Sequence, residues 1–172
     1  MGSSAINYSG SAGGRLVQLV KYETGVYASG VVNMVQDNSK PQNTEGDQYL
    51  ELDITPTNAA NILEIDVLLN VSNTTGGQCI AALFQDDAVD AIAVGANLQA
   101  GADFNQVKIK HYMVASGVVP TTFKVRAGSV AGGMTDFNGR NGAPYFDEAF
   151  ASSIAIAEIG PGIGGGDTPT YQ

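Results

Sequence analysis

The stretch that decides the fold is residues 61–72, which read NILEIDVLLNVS. Alternate positions within it are all apolar: Leu63, Ile65, Val67, Leu69 and Val71. The positions between them include the polar residues Glu64, Asp66 and Asn70. A period of two is that of a β-strand with one face in a hydrophobic core and the other towards solvent. The stretch therefore predicts a long, half-buried strand.

The same kind of pattern extends outward from this strand in both directions along the chain. Apolar or alternating segments occupy residues 15–23, 48–55, 78–85, 91–98, 105–115, 121–128 and 152–159. Turn signals separate them, among them the dipeptides Asn138-Gly139 and Asn141-Gly142. Helical periodicity is weak. About eight to ten short strands at this spacing predict an all-β, two-sheet antiparallel sandwich of the jelly-roll kind.

The composition indicates one globular domain of acidic character. The 172 residues are a normal single-domain length, and 44% of them are apolar. The net charge of −9 argues against a nucleic-acid partner, because the phosphates would be repelled. No apolar stretch reaches the ~18 residues of a membrane helix, so membrane insertion is not expected. Charged residues make up 15% of the chain, against ~25% in a typical domain, and a surface poor in charge suits packing against other chains.

Local composition divides the chain into three regions. Residues 1–14 are small and polar, and we expect them to form an N-terminal arm. Residues 15–160 contain the predicted strands and form the β-domain. Residues 161–172 are rich in Gly and Pro and are predicted to form a C-terminal tail.

Few residues could carry catalysis. The single histidine, His111, shares a strand face with Ile109 and Met113, which predicts a histidine packed in the core or an interface. Cys79 lies in an apolar run and is interpreted as a buried structural thiol. The chain has no Gly-x-Ser-x-Gly motif and no Cys/His pattern that would suit zinc. We therefore predict no catalytic residue, no metal ligand and no cofactor, and classify the chain as a non-enzyme.

Two groups of acidic residues leave alternatives open. Asp86, Asp87 and Asp90 could bind Ca²⁺ weakly at a loop, but the spacing is not that of an EF-hand and a solvated turn is the favoured interpretation. Four other carboxylates lie on the outward faces of two strands that could pair: Glu51, Asp53, Glu64 and Asp66. Paired carboxylates can catalyse glycoside hydrolysis. Polar strand faces carry such residues routinely, which is the favoured interpretation here.

Short segments spread over residues 15–160 carry a family resemblance. In chain order they are LVQLVKYETG (16–25), PQNTEGDQY (41–49), ITP (54–56), ALFQD (82–86), HYM (111–113), TFKVRAG (122–128), FNG (137–139) and ASSI (151–154). In order and spacing they resemble the head domain at the C-terminus of bacteriophage and prophage tail fibres. The resemblance implies a jelly-roll head, similar in shape to the trimeric heads of complement and tumour-necrosis-factor-like proteins, and no enzymatic activity.

The resemblance also implies a role and partners. The chain would be a structural protein on the surface of a phage particle, assembled as a homotrimer and contributing to host attachment. Its partners would be its own copies, other virion proteins reached through the terminal arms, and a glycan or protein of the host surface. In such a trimer we expect Tyr112, Phe123 and Phe137 to lie near the axis.

Two further hypotheses stay open beside tail-fibre attachment. Residues 1–14 are a short arm where fibres carry a long shaft, so the chain could instead be a capsid decoration protein that stabilises the shell. A carbohydrate-binding module is a third hypothesis, based on fold analogy alone. The aromatic platforms expected of a sugar site are weakly indicated, because the chain has seven Tyr and no Trp.

Overall fold

In a computed structural model, the described residues are 6–7, 14–99, 103–161 and 170–171, and they form antiparallel β-structure with a single 3-10 turn. The strands are β1 (Ile6–Asn7), β2 (Arg15–Thr24), β3 (Ala28–Gly30), β4 (Asp47–Ile54), β5 (Ile62–Asn73), β6 (Gly77–Gln85), β7 (Ala93–Gln99), β8 (Asn105–Val114), β9 (Thr121–Ser129), β10 (Thr135–Phe137), β11 (Gly139–Arg140), β12 (Ala143–Pro144), β13 (Ser152–Gly160) and β14 (Thr170–Tyr171). The predicted all-β class is confirmed. No helix in the described part of the chain is long and apolar enough to cross a membrane.

The long strands form two sheets. The first sheet has the order β2-β13-β5-β8, and β10 and β3 extend it beyond the end of β13. The second sheet has the order β4-β9-β6-β7. Edge strands β7 and β8 approach closely at Gly95. A Cβ atom at this position would lie 2.4 Å from the carbonyl oxygen of Lys108, so there is no room for a side chain. On the opposite side the Gln18 Nε2 donates to the carbonyl of Thr55 at 2.8 Å, which joins β2 to the end of β4.

The core lies between the sheets and is built around β5. All five apolar side chains that the alternation assigned to one face of this strand are buried. They meet Phe123 and Val125 of β9 and Ile154 and Ile156 of β13. The predicted strands of residues 105–115, 121–128 and 152–159 are confirmed within a residue or two by β8, β9 and β13.

One outward assignment is wrong because β4 contains a bulge. Within residues 48–55 the alternation groups Tyr49 with Glu51 and Asp53, opposite Leu50, Leu52 and Ile54, and so predicts that Tyr49 faces solvent. The pairing register of β4 against β9 shifts between Gln48 and Leu50, so Tyr49 is the extra residue and turns inward. Its ring stacks on Phe137 with centroids 4.9 Å apart, and its hydroxyl donates to a backbone carbonyl.

The expectation that Phe123 and Phe137 lie near a trimer axis is also wrong. Both side chains are fully enclosed within this single chain. Phe123 sits on the inward face of β9, and Phe137 is covered by Tyr49. Neither can reach another subunit without unfolding the core. Tyr112, the third residue of that expectation, is exposed on β8.

A long connection covers the outer face of the second sheet. Residues 31–46 cross β6 and insert Met34 against Ile80, Ala82 and Phe84. The amide of Met34 donates to the carbonyl of Ser129 at 3.1 Å, which anchors the crossing. Strand β6 is consequently buried on both faces, which explains why residues 78–85 are apolar without alternation.

Glu158 lies on β13 and is fully buried. Its carboxylate joins the end of the first sheet to the connection between β4 and β5. One carboxylate oxygen accepts from the backbone and hydroxyl of Thr57 at 2.8 and 2.9 Å and from Asn61 Nδ2 at 2.6 Å. The other accepts from Gln18 Nε2 at 2.6 Å. Burial alone would raise the pKa of Glu158, but the hydrogen bonds from Asn61, Gln18 and Thr57 outweigh it and lower the pKa.

We expect Met34→Ala to destabilise the protein by ~2–5 kcal/mol, because it leaves a cavity under the covering loop. Urea unfolding followed by circular dichroism measures the change. Val35→Ala is the matched control. The Val35 side chain, next to Met34 in the chain, is 53% exposed, so we expect its truncation to lower the stability by less than about 0.5 kcal/mol. Equal effects from the two substitutions would show that the loop does not pack as described.

Glu158 gives the fold a pH dependence of known sign. A carboxyl whose pKa is lower in the folded state than its unfolded value of about 4.3 stabilises the protein above that value, and this contribution is lost as the pH falls through the folded pKa. Glu158→Gln replaces one carboxylate oxygen with an NH₂ group that faces the donors of Gln18, Thr57 and Asn61. We therefore expect the free energy of unfolding at pH 7 to fall by ~1–3 kcal/mol. The loss should shrink as the pH is lowered to about 3 in urea-unfolding series, whereas exposed Glu51→Gln should show little effect at any pH.

Candidate functional site

Four aromatic side chains meet at the end of the sandwich where β8 begins. Phe104 is the centre of this aromatic cluster, with ring centroids 5.0 Å from Tyr145, 4.9 Å from Phe150 and 5.9 Å from Phe146. The first two contacts are edge-to-face, the geometry that aromatic quadrupoles favour. Phe146 remains 64% exposed, so the cluster presents an aromatic surface to solvent.

The backbone that presents Phe146 is strained. Phe146, Asp147 and Glu148 have φ values of 58°, 48° and 65°, which form one left-handed turn. Each non-glycine residue in this region costs ~1–2 kcal/mol, and consecutive ones are rare. The turn rests on Gly25, where a Cβ atom would lie 1.9 Å from the carbonyl oxygen of Glu148. Strain held in this way clusters at ligand-binding sites.

Phe150 lies in the segment just before β13. A buried polar frame of Asn70, Asn138 and Ser152 holds this segment in place. The Ser152 hydroxyl donates to Asn138 Oδ1 at 2.7 Å and accepts from the amide of Asn70 at 2.8 Å. Asn70 Nδ2 donates to the carbonyl of Ala151 at 2.6 Å. Asn138, which has a φ of 54°, reaches across to the carbonyl of Thr24 at 2.7 Å. These bonds fix Phe150 relative to β2, β5 and β13.

A groove of about 440 Å³ opens beside the aromatic cluster. Its lining combines two rings with three amides: Phe104, Phe150, Asn97, Asn105 and Gln106. Asn97 Nδ2 donates to the carbonyl of Gln106 at 2.9 Å and also to Asn105 Oδ1, which joins β7 to β8. Gln106 Nε2 donates to Asn70 Oδ1 at 3.0 Å and so connects the groove to the buried frame. The groove is wide open to solvent, so a ligand in it would lie along the surface and not inside an enclosed cavity.

Arg140 borders the same aromatic cluster. Its guanidinium carbon lies 5.9 Å from the centroid of Phe104, within the range of a cation–π contact. One terminal nitrogen pairs with Asp103 Oδ1 at 3.1 Å. The Nε atom is buried and has no hydrogen-bond partner among the described residues, which is an unusual state for a buried donor.

The predicted structural roles of Cys79 and His111 agree with their positions. Cys79 is fully buried on β6, and burial raises the pKa of its thiol to about 11, which disfavours the reactive thiolate. His111 is half-buried on β8 opposite Ile65, and burial lowers its pKa. Neither residue lines the groove.

The three aspartates of the possible cation site are separately engaged. Asp86 accepts from the hydroxyl of Thr121 and the amide of Thr122, at 3.0 and 2.8 Å. Asp87 lies 3.5 Å from the Lys124 ammonium, and Asp90 accepts from the side chain of Gln42 at 2.7 Å. Within the described ranges no group of three potential ligands gathers in a geometry that would hold a metal ion.

The expectation that the strands of the four carboxylates could pair is wrong. Strand β4, with Glu51 and Asp53, pairs with β9 in the second sheet. Strand β5, with Glu64 and Asp66, pairs with β13 and β8 in the first sheet. The two pairs therefore point outward on opposite sides of the core. Strands consecutive in sequence pair only when both join the same sheet, and β4 and β5 do not.

Sequence reasoning missed the aromatic cluster. Its local signal was the segment YFDEAF at residues 145–150, which holds three aromatic residues just after the turn dipeptide Asn141-Gly142. Phe104 is forty residues away from that segment and joins it only through the fold. No protein-family model matches the chain, and no curated protein matches it in sequence.

We expect Glu148→Gly to stabilise the protein by about 0.5–1 kcal/mol, because glycine adopts a positive φ without the left-handed penalty. Thermal unfolding measures the change. Glu23→Gly on β2 is the control, since the same substitution in an extended strand should destabilise by about 0.5–1 kcal/mol. Destabilisation by both substitutions would contradict the left-handed turn.

Proposed function

We propose that the domain is a jelly roll. Numbered in chain order from one to eight, the long strands are β2, β4, β5, β6, β7, β8, β9 and β13. The first sheet then has the order 1-8-3-6 and the second 2-7-4-5. This alternation between sheets is the order produced when two Greek keys wrap into a double-sheet roll. The strand order is the observation that supports the proposal most strongly.

On this basis we propose a non-enzymatic virion structural protein: a trimeric jelly-roll head, displayed on a bacteriophage particle and contributing to host attachment. The strand order supports the head domain that the sequence resemblance implies. The aromatic cluster and groove supply a surface that such a head could use to bind a receptor. The buried side chains of Glu158, Asn138 and Ser152 are engaged in holding loops and strands together.

The outer face of the first sheet is the surface that we assign to trimer contacts. Its central strand β13 presents the small residues Ser153, Ala155 and Ala157, which leave the face flat. Leu19 and Tyr112 lie in register on either side of Ala157 and Glu64, and both are exposed. The same face also carries the ion pairs Lys21–Glu23 and Lys110–Glu64, so it is flat and of mixed polarity. An exposed flat face of this kind could be buried between the subunits of a closed symmetric assembly.

Capsid decoration is a second candidate that one observation favours. Ile6 pairs with Tyr171 and Asn7 with Thr170, so the two terminal regions meet in a short ladder. Terminal regions joined in this way could dock together on a neighbouring protein of the shell. Removal of residues 1–14 should then abolish occupancy on particles, and full occupancy without them would count against this candidate.

Sedimentation velocity at micromolar concentration tests the trimer, which is the expected species. Leu19→Asp should dissociate it, because it replaces an exposed apolar side chain with a carboxylate on a face that already carries Glu64. Leu98→Asp is the matched control: Leu98 is 78% exposed on β7 of the other sheet, and its variant should remain trimeric. A stable monomer of the unaltered chain would overturn the proposed assembly.

A further inference from the structure

We infer that the groove beside the aromatic cluster binds an uncharged glycan, with Phe146 and Tyr145 forming its aromatic rim. The inference rests on the proposed attachment role and names the class of ligand that this site would take. The proposal concerns the groove and rim only, and the assembly of the chain does not depend on it.

The aromatic rim suits one face of a sugar. A pyranose ring presents C–H groups on its flat face, and these pack on aromatic rings as other apolar groups do. Phe146 is exposed, and Tyr145 is partly exposed beside it with ring centroids 6.1 Å apart. The left-handed turn of residues 146–148 leaves Phe146 at the surface, where its ring is open to a ligand.

The amide lining suits the hydroxyl groups of the same sugar. Each hydroxyl both donates and accepts, and each side-chain amide offers both functions. Among the described residues, Gln106 Oε1, Asn97 Oδ1 and Asn105 Nδ2 make no hydrogen bond, whereas the other amide atoms of these side chains hold the groove together. Acceptors and a donor are thus available in a lining whose geometry is already set.

Charge favours an uncharged ligand. Among the residues that the structure describes, the side chains that line the groove carry no ionisable group. The nearby Arg140 pairs with Asp103 through one terminal nitrogen at 3.1 Å, and the chain has a net charge of −9. A sialylated or sulfated glycan would meet long-range repulsion from the acidic chain, and none of the described residues that line the groove carries a positive charge to offset it. A cationic ligand would find no carboxylate in the described part of the lining.

The test is binding of the full chain to an array that holds neutral glycans, among them mannans, glucans, galactans and N-acetylhexosamine oligomers, together with sialylated and sulfated glycans. We expect binding to members of the neutral group alone. For the best neutral glycan, Phe146→Ala and Gln106→Ala should each weaken binding by about tenfold in titration calorimetry. Val119→Ala is the matched control, because Val119 is 66% exposed at the other end of the sandwich and should leave the affinity unchanged.

The outcomes separate this inference from the proposed function. Binding confined to acidic glycans, or neutral-glycan binding unchanged in both groove variants, would overturn the inference. A chain that forms trimers and adheres to bacterial cells, yet binds no glycan, would also overturn it while leaving attachment in place through a protein receptor. A chain that neither assembles nor adheres to cells contradicts the proposed function itself. Circular dichroism of each variant establishes that the loss is not one of folding.

Discussion

Burial of one face of β5 is the interaction on which the rest of the structure depends. This strand pairs with β13, β10 and β8, so both edges of the strand are used. Its inward side chains lie between the two sheets and meet side chains from each. A one-residue slip of β5 would turn its whole apolar face outward, and the registers of β13 and β8 are therefore set by it.

The candidate site is attached to the far end of this same strand. Asn70, near the end of β5, holds both Gln106 of the groove and the backbone before β13. A few buried hydrogen bonds thus fix the groove and the aromatic cluster to the core. This support is what allows three consecutive left-handed residues to persist beside Gly25.

The two outer faces of the sandwich differ in how far the chain itself covers them. Residues 31–46 cover that of the second sheet and bury Met34 against β6. The outer face of the first sheet remains open, with small side chains on β13 and exposed Leu19 and Tyr112 beside them. We propose the first sheet for trimer contacts because of this asymmetry, since the loop already occupies the outer side of β6 at the centre of the second sheet.

The sequence by itself determined the class of fold, most strands and the inward face of each regular strand, because strand alternation is a local property of the chain. It also predicted that Cys79 is buried and that His111 packs beside apolar residues, since both lie in apolar patterns. It failed at Tyr49, where a bulge breaks the period of two, and at Phe123 and Phe137, whose burial depends on which strands cover them. Only the tertiary structure decided that β4 and β5 join different sheets and that Phe104 meets residues 145–150. Such contacts join residues far apart in the chain, and no local periodicity records them.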